Sequence, residues 1–534
     1  MAFGQYLTTD PERFIEELQK SSNYLSSEMA EEIDANDPFA YTQEQFNIGS
    51  IIPLAGHSLG PTFKPTLEKI IQTDARQAEQ LHVGHFTDPD GEEDAHWFNC
   101  DRFKRGLLAA QQVLGFKELH EFNFTAMGLS DNLAMLLQTF YHPTKKDWDA
   151  DQAKIFMLGS EFISDQAVVT SVMERAIITA RGFECFEGRD EPTPESEIIR
   201  IKPDAQGLYQ TQDIIDAIKA QVDKIKVICL PDIVFNTGQR LELDQILSEL
   251  RPLITEKKIK VILDLAHTVG NRPIDLEALQ VTAAVGCGYK HLSGYAGSGF
   301  GIYVNGNEDL TEYPPIQGWK AANQKRVFEL INGYEPGIMD CKKGAIAFRA
   351  SNPPPVALLP AQTYLAYFGE IGFDKLFCKS ECLTRYLLLQ LQHHLADQIE
   401  IITPLDPKQR GATIAIRMKG DSDIKVLEEQ LKIAGFEIDT RPPNIVRITA
   451  HYAYTSFKQI SRFVQQLKTS LEQQLLARTN LQDVESSHPA DDSSVAVAVM
   501  AQRGFGPSLS PLNLNSQTMP LGSSDCREGM TLAQ

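Results

Sequence analysis

The sequence predicts an α/β protein: a large domain on a mostly parallel sheet, followed by a small α+β domain. Three observations lead there. Between about 100 and 300, short apolar runs (KIFMLGS, KVICLPDIVF, KVILDLAH, TAAVGCG) alternate with helical stretches (DRFKRGLLAAQQVLG, SDNLAMLLQTFY, DQAVVTSVMERAIITARG, LDQILSELRPLITEKK). That order is the signature of strand–helix–strand units. From 400 to 476 the strand-like IEIITP, ATIAIRM, FEIDTR and NIVRITA carry only two helical stretches between and after them, VLEEQLKIAG and FKQISRFVQQLKTSLEQQLL. The third observation is composition: 42% hydrophobic and 23% charged residues over 534, an ordinary globular balance with room for more than one domain.

In chain order, residues 1–50 are expected to form an N-terminal helical segment, because TTDPERFIEEL opens on a Thr/Asp–Pro cap signal. Residues 51–350 form the large domain. Residues 351–478 comprise long bridging helices, over about 356–398, and the small domain. Residues 479–534 are rich in Ser, Pro and Gly without amphipathic period, so they read as a disordered tail.

Lys plus Arg number 50 and Asp plus Glu 71, a net charge of −21. Such a chain repels phosphate backbones and anionic lipid, so neither nucleic acid nor a membrane is an expected partner. Eight scattered cysteines with no CxxC pair argue against a disulfide scaffold or a zinc ribbon, and no metal is expected. The acidic start lacks the basic-then-apolar order of a signal peptide, and no run approaches 18 apolar residues. The expectation is a reducing, cytoplasmic location.

The densest chemistry lies in VILDLAHTVGN and GCGYKHLSGYAGSGFGIYV. The first is an apolar strand delivering Asp264 and His267 at its carboxyl end, where open α/β sheets bind ligands. Lys290 follows a strand of small residues. A lysine there is either a surface residue just past the strand or one held covalently by an aldehyde. The pair suits pyridoxal 5'-phosphate (PLP): an Asp to keep the pyridine nitrogen protonated and a Lys to bind the aldehyde carbon. A phosphate cradle is then expected at a helix start, and Leu129 and Ser130 open the helix NLAMLLQTFY. Simple N-capping by Ser130 or Asp131 is the alternative. Phe162 in SEFISDQA can face the ring, and Asp165 opens the next helix. Arg447, on a predicted strand, wants a carboxylate: either that of an amino-acid substrate or an internal partner.

Together LAGHSLGPTFK, LSDNL, SEFISDQ, VFNTGQ, VILDLAHTVGN, GYKHL, IQGW, FRASNPPP and IVRITAHYAYTSF resemble the kynureninase family over roughly residues 50–475. The resemblance implies a PLP-dependent transferase fold of type I. It implies hydrolysis of L-kynurenine, or 3-hydroxykynurenine, to anthranilate, or 3-hydroxyanthranilate, and L-alanine in tryptophan catabolism. Lys290 is then the Schiff-base lysine and Asp264 the partner of the ring nitrogen. Leu129, Ser130, Phe162, Ile163, Ser164, Asp165, His267 and Tyr289 hold the cofactor. Trp319 and Asn352 come across the interface of a homodimer with a shared site, and Arg447 binds the substrate carboxylate. Pro231, Phe235, His57 and Ser293 depart from the family pattern, the first two in positions expected to weaken phosphate binding. Alternatives are a cysteine desulfurase or other lyase of the same fold, for which Cys341 is the tempting nucleophile, and a PLP-binding module without turnover.

Overall fold

A computed structural model describes residues 3–81, 101–183, 185–186, 190–311, 313–316, 318, 320–321, 343–351 and 353–487. It divides into two units, Met1–Leu475 and Leu476–Gln534.

The first unit holds thirteen strands among its described residues. β1 (Ile52–Pro53) is short. Seven others, β2 (Phe122–Phe124), β3 (Lys154–Leu158), β4 (Ile198–Ile201), β5 (Ile225–Pro231), β6 (Lys260–Asp264), β7 (Ala283–Cys287) and β8 (Gly299–Val304), form one sheet in the order β2-β8-β7-β6-β5-β3-β4. The five from β7 to β4 are parallel, and β8 runs antiparallel to both β7 and β2.

Side-chain alternation explains why these runs are apolar throughout. Phe156, Leu158, Ile228, Leu230, Val261 and Leu263 face one core, while Ile155, Met157, Val227, Cys229 and Ile262 face another on the opposite side. Parallel strands covered by helices on both faces need both positions of the period to be apolar.

The chain order sets the position of the site. From β3 the helix Ile163–Arg181 leads outward to β4, whereas from β5 the helix Leu243–Lys257 leads the other way to β6. The connections diverge between β3 and β5, and the crevice outside their carboxyl ends is where such sheets bind ligands.

The small domain is a four-stranded antiparallel sheet of β9 (Ile399–Ile401), β10 (Thr413–Met418), β12 (Asp439–Arg441) and β13 (Ile445–Thr449), with β11 (Phe436–Glu437) paired to β1. The expected FEIDTR strand is thus split at Ile438. The N-terminal helices Phe3–Thr9, Pro11–Leu18 and Ser27–Ala35 have no core of their own. Phe3, Phe14 and Ile33 join the core of the small domain beside Leu387 and Phe457.

The bridge is two helices, Pro355–Ile371 and Phe373–Leu395. Tyr364, Leu365 and Phe368 pack into the large core, and Leu383, Leu387 and Leu391 into the small one. Gly372, at φ 101°, makes the break in a conformation that disfavours any residue with a Cβ.

The expected tail boundary at 478 is corrected. The last helix runs from Phe457 to Ser487. LARTNLQDVESS contains neither Gly nor Pro and is rich in good helix formers, and the next proline is Pro489. Residues 488–534 lie outside the described residues. Among those described, no helix is long and apolar enough to cross a membrane.

Candidate active site

The crevice between β3 and β5 contains a cavity of about 290 Å3. Asp264 is the last residue of β6, in register with Pro231 of β5. One of its oxygens accepts the Ala266 N–H at 2.7 Å, which turns the chain sharply and brings His267 back toward the cavity.

Lys290 leaves β7 through Gly288 and Tyr289. This turn is braced by the LAGHSLG loop: Gly60 N–H donates to the Tyr289 carbonyl at 2.9 Å. A Cβ on Gly60 would lie 2.4 Å from the Lys290 carbonyl oxygen, so only glycine permits the approach. Lys290 Nζ lies 3.1 Å from His267 Nε2. Burial, and then the nearby Lys290 charge, hold the His267 imidazole well below its ordinary pKa. The ring is therefore neutral, and Nε2 can accept a Lys290 N–H.

Phe162 is the N-cap residue of Ile163–Arg181. Its ring is partly exposed in the cavity, and Lys290 Nζ stands 5.9 Å from the ring centroid. Asp165, one turn in, is 3% exposed, and both its oxygens are without a hydrogen-bond partner. Burial and then Asp264 push its pKa up to about 10.

The helix Leu129–Phe140 starts at the far wall. Gly128 is its N-cap, with no side-chain hydrogen bond to the first turn. This answers the alternative left open by the sequence: neither Ser130 nor Asp131 caps the helix. Leu129 and Ser130 instead line the cavity at a helix start without a side-chain cap, an arrangement suited to an anion.

Ser164, His267 and Tyr289 also line the cavity. Ile163 is not among its lining residues, and its side chain is 73% exposed. Trp319, Asn352 and Cys341, and the histidines His82, His85 and His96, lie outside the described residues.

Arg447 does not line the cavity but sits behind Phe235. Its Nε donates to Asp439 Oδ1 at 2.9 Å and its Nη2 to Ser58 Oγ at 3.2 Å, while Nη1 reaches the Phe235 carbonyl. Asp439 also pairs with Arg441 at 3.0 Å. Two guanidinium groups share one carboxylate, which leaves one positive charge for an incoming anion.

Two of the departures lie at or beside the cavity. Pro231 stands beside Asp264, at the acid end of the cavity, because the strand register puts it there. Phe235 meets Phe162 edge-on at 5.4 Å and lies 5.8 Å from the Arg447 guanidinium. Both were read as neighbours of a phosphate.

Glu161 was missed by sequence reasoning. It is 8% exposed and lines the cavity. Nearest oxygens of Glu161, Asp165 and Asp264 all lie within 4.8 Å of one another. Burial, then Asp264, raises the Glu161 pKa to about 8. The one signal in the sequence was an acid directly before the ring-facing Phe162.

Known proteins resemble this chain in sequence and in fold. The Kynureninase C-terminal domain family matches residues 376–467. A kynureninase of Xanthomonas oryzae pv. oryzae is 29% identical over 462 residues, covering 84% of this chain and 99% of that protein. One of Xanthomonas axonopodis pv. citri is 28% identical over 453 residues, covering 83% and 98%. Among solved structures, a C-DES variant with glycine covalently linked to the PLP cofactor superposes with a TM-score of 0.61 at 16% identity, covering 80% of this chain and 98% of that one. A cysteine desulfurase of Thermococcus onnurineus does so at 0.59 and 16%, covering 81% and 98%. These two carry the fold, and in sequence the chain is similar to kynureninases over almost the whole of their length.

Proposed function

We propose that this chain is a PLP-dependent hydrolase that cleaves the Cβ–Cγ bond of L-kynurenine with water, giving anthranilate and L-alanine. 3-Hydroxykynurenine is the second candidate substrate. The observation that carries the reading is the meeting of Asp264 and Lys290 in one cavity at the divergence of β3 and β5, with Phe162 beside them.

The residues present fit the cofactor. Asp264, with the buried Asp165 beside it, stands among the lining carboxyl groups, and a helix start without a side-chain cap also lines the cavity, as a ring nitrogen and a phosphate require. When bound, PLP supplies an electron sink for carbanions on the substrate. Lys290 would hold PLP through its aldehyde carbon, and its amine, once displaced by the substrate amine, would be free to take the proton from the substrate Cα. His267 orients the Lys290 amine through the 3.1 Å contact. Phe162 covers a ring face, with Ile163, Ser164 and Asp165 following it at the helix start. Leu129, Ser130 and Tyr289, which line the cavity, would hold the phosphate. Arg447 binds the α-carboxylate through the positive charge left over from Asp439.

The same reading brings in a homodimer whose partner contributes Trp319 and Asn352, and a cytoplasmic location. The test is product analysis on the PLP-loaded protein. Anthranilate fluorescence from L-kynurenine, with equimolar alanine, is the expected result. Sulfide from cysteine instead would replace the reading with a desulfurase, and cofactor absorbance without either product would leave a binding module.

A further inference from the structure

Glu161 has no role in the chemistry above, yet it is built into the cavity. It lies in the loop between β3 and the helix Ile163–Arg181, and its Oε1 accepts the Phe162 N–H at 2.9 Å. Its carboxyl group is within 4.8 Å of those of Asp165 and Asp264. Asp165 is 3% exposed and offers two oxygens with no partner. Three carboxyl groups so close cannot all be ionised in a largely desolvated pocket.

The groups facing Glu161 come from four directions: Asp264 at the end of β6, Asp165 on the adjoining helix, Lys290 after β7, and Cys229 of β5 with Tyr209. Lys290 is the one cation among them, and it is the residue that the cofactor engages.

We propose that Glu161 is a positioning residue for the cofactor ring: by holding a proton within this carboxyl cluster, it sets the charge of the cavity end that receives a cationic heteroaromatic nitrogen. The inference rests on the PLP reading. It assigns the cluster a proton that is held in the cofactor-free cavity, where Lys290 is the one facing cation, and released when a cationic ring arrives.

Linkage then fixes the signs. A carboxyl group whose folded pKa is raised withdraws stability as pH climbs from its unfolded value, 4.5, toward about 8. Cofactor-free wild type should therefore lose melting temperature relative to Glu161→Gln between pH 5 and pH 9. A cationic ring favours ionised Glu161, so the wild-type affinity for PLP, relative to that of Glu161→Gln, should rise by about sevenfold from pH 6 to pH 8.5 if binding lowers the Glu161 pKa by one unit from about 8. Glu161→Asp, which keeps the proton, should retain part of this dependence.

Infrared titration of cofactor-free wild type against Glu161→Gln supplies a second measurement, read as the band missing from the variant, since Asp165 holds a proton of its own. A carboxylic-acid band should fade with a midpoint near pH 8. Absence of that band, or melting and affinity differences that stay flat across pH while both proteins bind PLP, would overturn the proposal. If neither protein forms a visible band with PLP, the cofactor reading fails instead, while the melting and infrared measurements still decide whether Glu161 holds a proton.

Discussion

Arg447 shows how a single residue can be placed correctly by type yet incompletely by sequence. A strand arginine calls for a carboxylate, and the chain supplies one of its own, Asp439, eight residues earlier and on the neighbouring strand β12. On the proposed function, the substrate carboxylate would depend on the surplus charge of the Arg447–Asp439–Arg441 group, since Arg447 is already paired. Arg447→Met should consequently do two things. It should raise KM by about 10- to 150-fold, the worth of a charge-assisted bond to a carboxylate of roughly 1.5–3 kcal/mol. It should also destabilise the cofactor-free protein by about 2–4 kcal/mol, because Asp439 keeps only Arg441 and Ser58 as partners. Steady-state kinetics and denaturant unfolding check the two separately. A raised KM at unchanged stability would mean that Asp439 is fully satisfied by Arg441. Lys290, Asp264, Phe162 and His267 were legible because each follows a strand or opens a helix. Glu161 and Asp439 were not, because burial and cross-strand register decide their partners, and neither has a local pattern.

The elements were read more completely than their junctions. The period of apolar residues identified β3, β5, β6 and β7 and the helices Ile163–Arg181 and Leu243–Lys257, but not β4 or the helix Thr211–Gln221 that follows it. Strand ends, the splitting of FEIDTR and the reach of the last helix depended on tertiary pairing and on where a proline next occurs. The bridge is the instructive case. Its 356–398 stretch reads as one or two long helices, and Gly372 makes it two where the chain passes from one hydrophobic core to the other. Gly372→Ala forces an L-residue to φ 101° and brings its Cβ within 2.8 Å of the Asp374 carboxylate. A loss of about 1–2 kcal/mol follows, read as a lower denaturant midpoint. A neutral result would show that the two helices can merge or tilt without disturbing either core.

At the scale of the whole molecule, the site forms because two connections part between β3 and β5, and because the small domain brings Arg447 to the back of Phe235. The resemblance adds a second chain. Mixing Lys290→Ala with Trp319→Ala/Asn352→Ala chains should restore part of the activity, since half of the hybrid dimers' sites would be intact. Full activity of a monomer at high dilution would contradict the shared site. The central claim, that Lys290 in this crevice is the lysine that carries PLP, has a direct measurement. The protein is incubated with PLP, reduced with borohydride, digested and analysed by mass spectrometry. The account predicts one phosphopyridoxyl group per chain, on the peptide containing Lys290, and none after Lys290→Ala. A label on another lysine, or no label on Lys290 at saturating PLP, would contradict it.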